Sequence, residues 1–307
     1  MSSVERLKNF PPALNFLILS YNNLASIDEL NLLLGLTSLD LEHNNLVSVK
    51  GLRLPPTLIS LSLKSKGLVS VKGLELPPAL TSLNLCHNDL VSVDGLDLPP
   101  TLTSLDLSSN SLVSVKELDL PPALTHLYSR GNKLQRFSKI LSESIQSLNL
   151  GYNRLKKMVN FHFPVNCTKL ELSDNTLQKL QISNAHDPNL KLRDFCLSSV
   201  AITTLRDIFP FPQYLTSFSI CNTNIGSLSR ISFPTGLTRL CASNIKVTSL
   251  ENVEFPPRLE ELSLPKNQIS SLANICFSDS LLELELNGNK FTSINAIKLP
   301  PKLKKLD

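Results

Sequence analysis

The 307 residues carry a net charge of +4, with 42% hydrophobic but only 6% aromatic content and no tryptophan. So mild a charge is not the footprint of a dedicated nucleic-acid binder, and an interior of Leu, Val and Ile without large rings suits a narrow stack of similar layers. Cys86, Cys167, Cys196, Cys221, Cys241 and Cys276 stand singly through the interior of the chain, which argues against a disulfide framework.

The first residues, MSSVERLKNFPPAL, hold no apolar run after a basic start and do not read as a secretory signal. No stretch approaches the roughly 18 consecutive apolar residues of a membrane span. A cytoplasmic location, or a nuclear one, is the default expectation. The one glycosylation sequon, Asn166-Cys167-Thr168, runs against an otherwise intracellular composition.

Val4 to Pro12 reads as the return half of a unit whose strand is missing. From Leu14 onward the chain is periodic, with fourteen unit starts at Leu14, Leu36, Leu58, Leu80, Leu102, Leu124, Ile145, Cys167, Leu192, Leu215, Leu237, Leu259, Leu281 and Leu303. The fourth and fifth units, LTSLNLCHNDLVSVDGLDLPPT and LTSLDLSSNSLVSVKELDLPPA, agree at 15 of 22 positions. Such a period marks a solenoid, in which each unit buries its apolar edge only against its neighbours. No linker interrupts it, so residues 1–307 are expected to form a single solenoid domain.

In the unit that begins at Leu102, Leu105 and Leu107 flank the outward Asp106, the alternation of a short half-buried strand. Fourteen such strands stack into a parallel sheet whose outer face is a concave surface. Asn110 follows, with Asn22, Asn44, Asn88, Asn132, Asn153, Asn175, Asn267 and Asn289 in the same register. A buried amide needs partners for its donors and its acceptor, so this column predicts a ladder bonded to the backbone of successive turns. The return segment places Leu112, Val115 and Leu118 at three-residue spacing, which suits 3₁₀ turns. Pro121-Pro122 then forces an extended entry to the next strand.

The frame LxxLxLxxNxLxxVxxLxL resembles the leucine-rich repeat, in the 22-residue class of a protein phosphatase 1 regulatory subunit and of bacterial internalins. The Pro pair before each strand is also similar to the shorter repeats of bacterial leucine-rich effectors. The resemblance covers the whole chain. It implies an α/β-type solenoid that is mostly β, a curved leucine-rich repeat array with a parallel concave sheet and a convex side of 3₁₀ and extended chain. It also implies a protein-binding scaffold, without naming the partner.

Along the array, Asp28 to Gly35 lacks proline and fits a helical turn. Lys66 replaces the ladder asparagine and offers no acceptor. Val47, Val69, Val91 and Val113 recur just after the inward leucine, as a stripe on the solvent side. The early strand faces show mostly Thr, Ser, Asp and Asn, which advertise no binding hot spot.

The sixth to eighth repeats change character. Arg130, Lys133, Arg136, Lys139, Arg154, Lys156 and Lys157 stand against the lone Glu143. Stacking by the repeat aligns Arg136, Lys157 and Lys179 in one column and Lys133 with Arg154 in another. His126, Tyr128, Arg130 and Tyr152 lie on the strand face nearby. Tyr and Arg are enriched at binding hot spots, and a basic column favours an acidic partner or phosphate groups. These nine residues, His126, Tyr128, Arg130, Tyr152, Lys133, Arg154, Arg136, Lys157 and Lys179, form the candidate partner-binding site.

In the ninth to eleventh repeats the ladder position becomes Val200, Thr223 and Ile245, and the array is expected to loosen. Cys196, Cys221 and Cys241 fall on neighbouring strands there, but without a CxxC pair or a histidine in register they read as ordinary reduced thiols. The histidines at 43, 87, 126, 162 and 186 share no metal-site spacing. No Walker loop, GxSxG elbow, kinase signature or HExxH occurs, so no enzyme, metal or cofactor is expected. The chain stops within a strand at Leu303 to Asp307. The two functions that fit are a protein-interaction scaffold and the recognition arm of a larger signalling enzyme, a kinase or ubiquitin ligase, continuing beyond Asp307. Direct RNA or phospholipid binding fits less well, because aromatic interleaving is sparse.

Overall fold

Leu102, Leu105, Leu107, Leu112, Val115 and Leu118 are all buried in the turn that begins at Leu102, and the same six positions are buried in turn after turn. Each fully buried leucine contributes about 1.5–3 kcal/mol, realised only when the next turn covers it. The strand of this turn is three residues long because only its central leucine must point inward, with a half-buried residue on either side. The computed structural model describes residues 11–26, 34–65, 67–205, 208, 210–293 and 298–307. The chain divides into two compact units, Met1–Arg154 and Leu155–Asp307. The expectations for Val4 to Phe10, for a helical turn over Asp28 to Leu33 and for Lys66 lie outside the described residues.

In the first unit, β1 (Phe16–Ile18), β2 (Ser38–Asp40), β3 (Ser60–Ser62), β4 (Ser82–Asn84), β5 (Ser104–Asp106), β6 (His126–Tyr128) and β7 (Ser147–Asn149) pair in chain order. All are parallel and in strict register, leucine opposite leucine. In the second unit the strands are β8 (Lys157–Phe161), β9 (Lys169–Glu171), β10 (Lys179–Ile182), β11 (Asp194–Cys196), β12 (Ser217–Ser219), β13 (Arg239–Cys241), β14 (Glu261–Ser263), β15 (Glu283–Glu285) and β16 (Lys305–Leu306). Of these, β9 and β11 to β16 continue the same parallel pattern. Each unit is a parallel β-solenoid, and no α-helix occurs among the described residues.

The return segments mostly hold isolated tight turns joined by extended chain. The Pro pair closes one of them, with the Leu124 amide donating to the Pro121 carbonyl at 3.1 Å and Pro122 in the second turn position, where its fixed φ fits. A second closes from the Leu74 amide to the Val71 carbonyl at 3.0 Å, with Gly73 at φ +83°. Extended and tightly turned chain is what the spacing predicts. The exception is β8 with β10, where the return segments themselves pair as a second, two-stranded parallel sheet. Alternation explains it, since Met158, Phe161, Leu180 and Ile182 point inward while Lys157, Val159, Lys179 and Gln181 point out. The extra residue in β8 is absorbed as a bulge, with Asn160 at φ +55°.

The asparagine ladder is present in both units. Asn132 donates to the Leu107 carbonyl at 2.9 Å in the preceding turn and to Ser129 at 3.2 Å in its own, while its Oδ1 accepts the Leu112 amide at 3.0 Å. Asn44, Asn88, Asn110, Asn153 and Asn267 make the same set. Where the asparagine is replaced, Thr223 bonds only the Ile220 carbonyl of its own turn, at 2.9 Å. Val200 and Ile245 are buried without a polar group to offer.

Candidate functional site

The residue just before each ladder asparagine takes a left-handed conformation, Ser109, Tyr152 and Asp174 among them, and the same holds for Ser199 and Asn222 before the replaced positions. That turn lifts its side chain to the solvent edge of the strand face, which is how Tyr152 comes to be 49% exposed. One turn earlier the position is Gly131, at φ +69°, with Ser109 atoms 3.5 Å from where a Cβ would stand. No side chain therefore competes with Arg130 for the Tyr152 ring, and the guanidinium carbon sits 3.9 Å from the ring centroid. A cation held over a tyrosine face gains about 0.5–1 kcal/mol at an exposed site, and both groups are fixed before any partner arrives.

His126 and Tyr128 are the two outward residues of β6, half-buried, with ring centroids 6.0 Å apart and planes tilted by 46°. Thr125 Oγ1 lies 2.8 Å from His126 Nδ1 and fixes the ring's orientation. In neighbouring strands the register places Ser104 and Ser147 beside His126, and Asp106 and Asn149 beside Tyr128. Asp106 and Asn149 are engaged, accepting the Ser108 amide at 2.8 Å and the Gly151 amide at 3.1 Å. Tyr128 is the one interruption in this run of strand-end acceptors.

Lys133 and Arg154 occupy equivalent positions in adjacent turns, their amides bonded to the Leu112 and Leu134 carbonyls at 2.9 Å. Arg136 is exposed on the return side of the same unit. Lys139 Nζ donates to the Lys116 carbonyl at 2.8 Å on the surface. In the second unit Lys157 and Lys179 are exposed and directly paired across β8 and β10. Among the described residues none of Lys133, Arg136, Arg154, Lys157 and Lys179 takes part in a salt bridge. Like charges so placed repel one another, and an anion relieves them.

Two features escaped the sequence reading. Phe16, Ile18 and Tyr21 are 69%, 71% and 78% exposed, with Tyr21 stacked on His43 at 4.5 Å. The signal was available, since Phe16 and Ile18 stand where β2 carries Ser38 and Asp40. The second feature is a set of thiols and hydroxyls running across β11 to β14. Among the described residues there is no group of three or more His, Cys, Asp and Glu placed to hold a metal ion, and no helix long and apolar enough to cross a membrane.

A family model described as Leucine Rich Repeat matches residues 101–127. Among solved structures, YopM from Yersinia enterocolitica is 24% identical at a TM-score of 0.64, over 95% of this chain and 73% of its own. YopM from Yersinia pestis is 22% identical at a TM-score of 0.67, over 95% and 88%. An internalin, InlF from Listeria monocytogenes, is 18% identical at a TM-score of 0.74, over 96% and 86%. No curated protein matches the sequence. The fold is that of a leucine-rich repeat protein, and its 22-residue unit fits the solenoid spacing.

Proposed function

We propose that this chain is a protein-interaction scaffold and that it captures an acidic partner on the strand face of the sixth and seventh repeats. One observation carries the reading. Arg130 is already seated on Tyr152 at 3.9 Å, beside Tyr128 and His126 and next to Lys133 and Arg154, whose charges have no partner among the described residues. A surface ordered in advance loses little side-chain entropy on binding, and the basic groups set the approach and the sign of the partner. The Lys157 and Lys179 pair offers a second anionic contact, and Arg136 extends the basic edge of the first unit. No cofactor or catalytic step enters this function, and the place of action is the cytoplasm or nucleus.

The same face would serve as the recognition arm of a larger signalling enzyme, which is the alternative to a free-standing scaffold. The test is capture of the native partner by the intact chain and by a Tyr128→Ala/Arg130→Ala variant. A loss of tenfold or more in affinity supports the site; unchanged capture removes it.

A further inference from the structure

Cys221 and Cys241 are far apart in sequence and lie on one face of adjacent turns in the fold. Register places Ser219, the last residue of β12, beside Cys241, the last of β13. Two residues on from Ser219 a side chain returns to the same face, and the Ile220 amide donates to the Cys241 carbonyl at 2.9 Å. Cys221 is thereby set diagonally to Cys241 on that face. Both are half-buried on the strand face, open to a small reagent.

Their surroundings are hydroxyls. Ser198 Oγ lies 2.8 Å from Ser219 Oγ and accepts the Cys221 amide at 3.0 Å, and Ser219 Oγ donates to Cys221 Sγ at 3.7 Å. On the far side Ser263 stands beside Cys241 in register and donates to Glu285 at 2.8 Å. The charged or titratable groups on this face of β11 to β15 are Asp194 and Cys196 of β11, Arg239 of β13, Glu261 of β14, and Glu283 and Glu285 of β15. A thiolate is the nucleophile in thiol chemistry, and donors aimed at sulfur favour it. Cys241's hydrogen bond, with those from the Ser243 amide, Ser219 and Ser198, pulls the Cys221 thiol down to about 6 against the cost of burial. Burial, aided by Asp106 and Glu42, instead pushes Cys86 up to about 11.

We propose that Cys221 and Cys241 form a peroxide-sensitive dithiol. The Cys221 thiolate attacks one oxygen of a peroxide, the O–O bond breaks, and a sulfenic acid forms at Cys221 as hydroxide leaves and takes up a proton. The Cys241 thiol then attacks the sulfenic sulfur, the S–O bond breaks, and the disulfide closes as a second water departs. Two electrons pass from the two sulfurs to the peroxide. The crosslink joins the two turns in which Thr223 and Ile245 stand at the ladder position, where the ladder amide is missing.

The experiment treats the full chain with stepwise hydrogen peroxide, blocks remaining thiols and maps all six cysteines by peptide mass. The expected result is a Cys221–Cys241 linked peptide while Cys86 and the exposed Cys276 are still reduced. In Cys241→Ser, a dimedone adduct accumulates at Cys221. In the untreated chain, Cys221 alkylates about tenfold faster at pH 6 than an ordinary thiol, the larger thiolate fraction outweighing its weaker nucleophilicity. Oxidation of Cys276 ahead of Cys221, or sulfenic acid at Cys221 with no crosslink in the unmodified chain, overturns the proposal. Hydrogen exchange at residues 221–245 should slow on oxidation; unchanged exchange would deny the crosslink its structural effect.

Discussion

Asn110→Ala tests what the ladder is worth. Asn110 Nδ2 donates to the Leu85 and Leu107 carbonyls at 3.0 Å each, and Oδ1 accepts the Leu90 amide at 3.1 Å. Truncation does not strand the carbonyls, because Asn88 still reaches Leu85 at 3.0 Å and Asn132 still reaches Leu107 at 2.9 Å. The buried Leu90 amide is the group left without a partner. An orphaned buried donor costs about 1–3 kcal/mol and each lost bond about 0.5–1.5 kcal/mol, so the expected loss is about 3 kcal/mol. Urea unfolding measures it, and hydrogen exchange locates it at Leu90. Asn110→Asp keeps the acceptor but turns a carboxylate oxygen toward two carbonyls, which raises its folded pKa above the unfolded value. Its destabilisation is therefore full above the folded pKa and shrinks as pH falls through it. A loss below about 0.5 kcal/mol for Asn110→Ala, with Leu90 exchange unchanged, would refute a structural ladder, since that lies within the range of an ordinary surface substitution.

Three other outcomes follow from the same reasoning. Ser129 stands in the inward leucine column, 1% exposed, with no partner for its hydroxyl among the described residues; Ser129→Ala should raise stability by about 1 kcal/mol, by relieving a buried unpaired group, and a fall in the melting midpoint would contradict it. Amides of Val200 to Ile245 should exchange faster than those of the second to sixth repeats, because the ladder lapses there; equal protection would show that packing alone suffices. Gly95 has φ +76° with open space around it, so Gly95→Ala should cost about 1 kcal/mol through backbone strain alone, read from the shift in urea midpoint, and a neutral result would mean that the turn relaxes.

The repeat frame was legible because one physical demand recurs in each turn. The inward leucines must meet their neighbours, and the asparagine amide offers two donors and a separate acceptor to adjacent backbones. The exposed valines, Val47, Val69, Val91 and Val113, were legible for the same reason, as outward neighbours of a buried leucine. The seat of Arg130 on Tyr152 belongs to the fold, because the two side chains come from successive turns. Other features needed register. Cys221 lies just past its strand and Cys241 within the next, and the Ile220 to Cys241 bond sets their diagonal. The β8 and β10 sheet required two consecutive return segments to alternate alike, a coincidence invisible in either one. Ser129 stands in the frame where Leu107 stands one turn earlier, and burial shows it as a gap in the leucine column.

The most direct test of the scaffold reading is a hydrogen-exchange footprint of the intact chain with its captured native partner, at low and at high salt. The account predicts protection centred on 126–133 and 147–154, weakening as salt screens Lys133 and Arg154. Protection confined to other repeats, with 126–154 unchanged on binding, would contradict it.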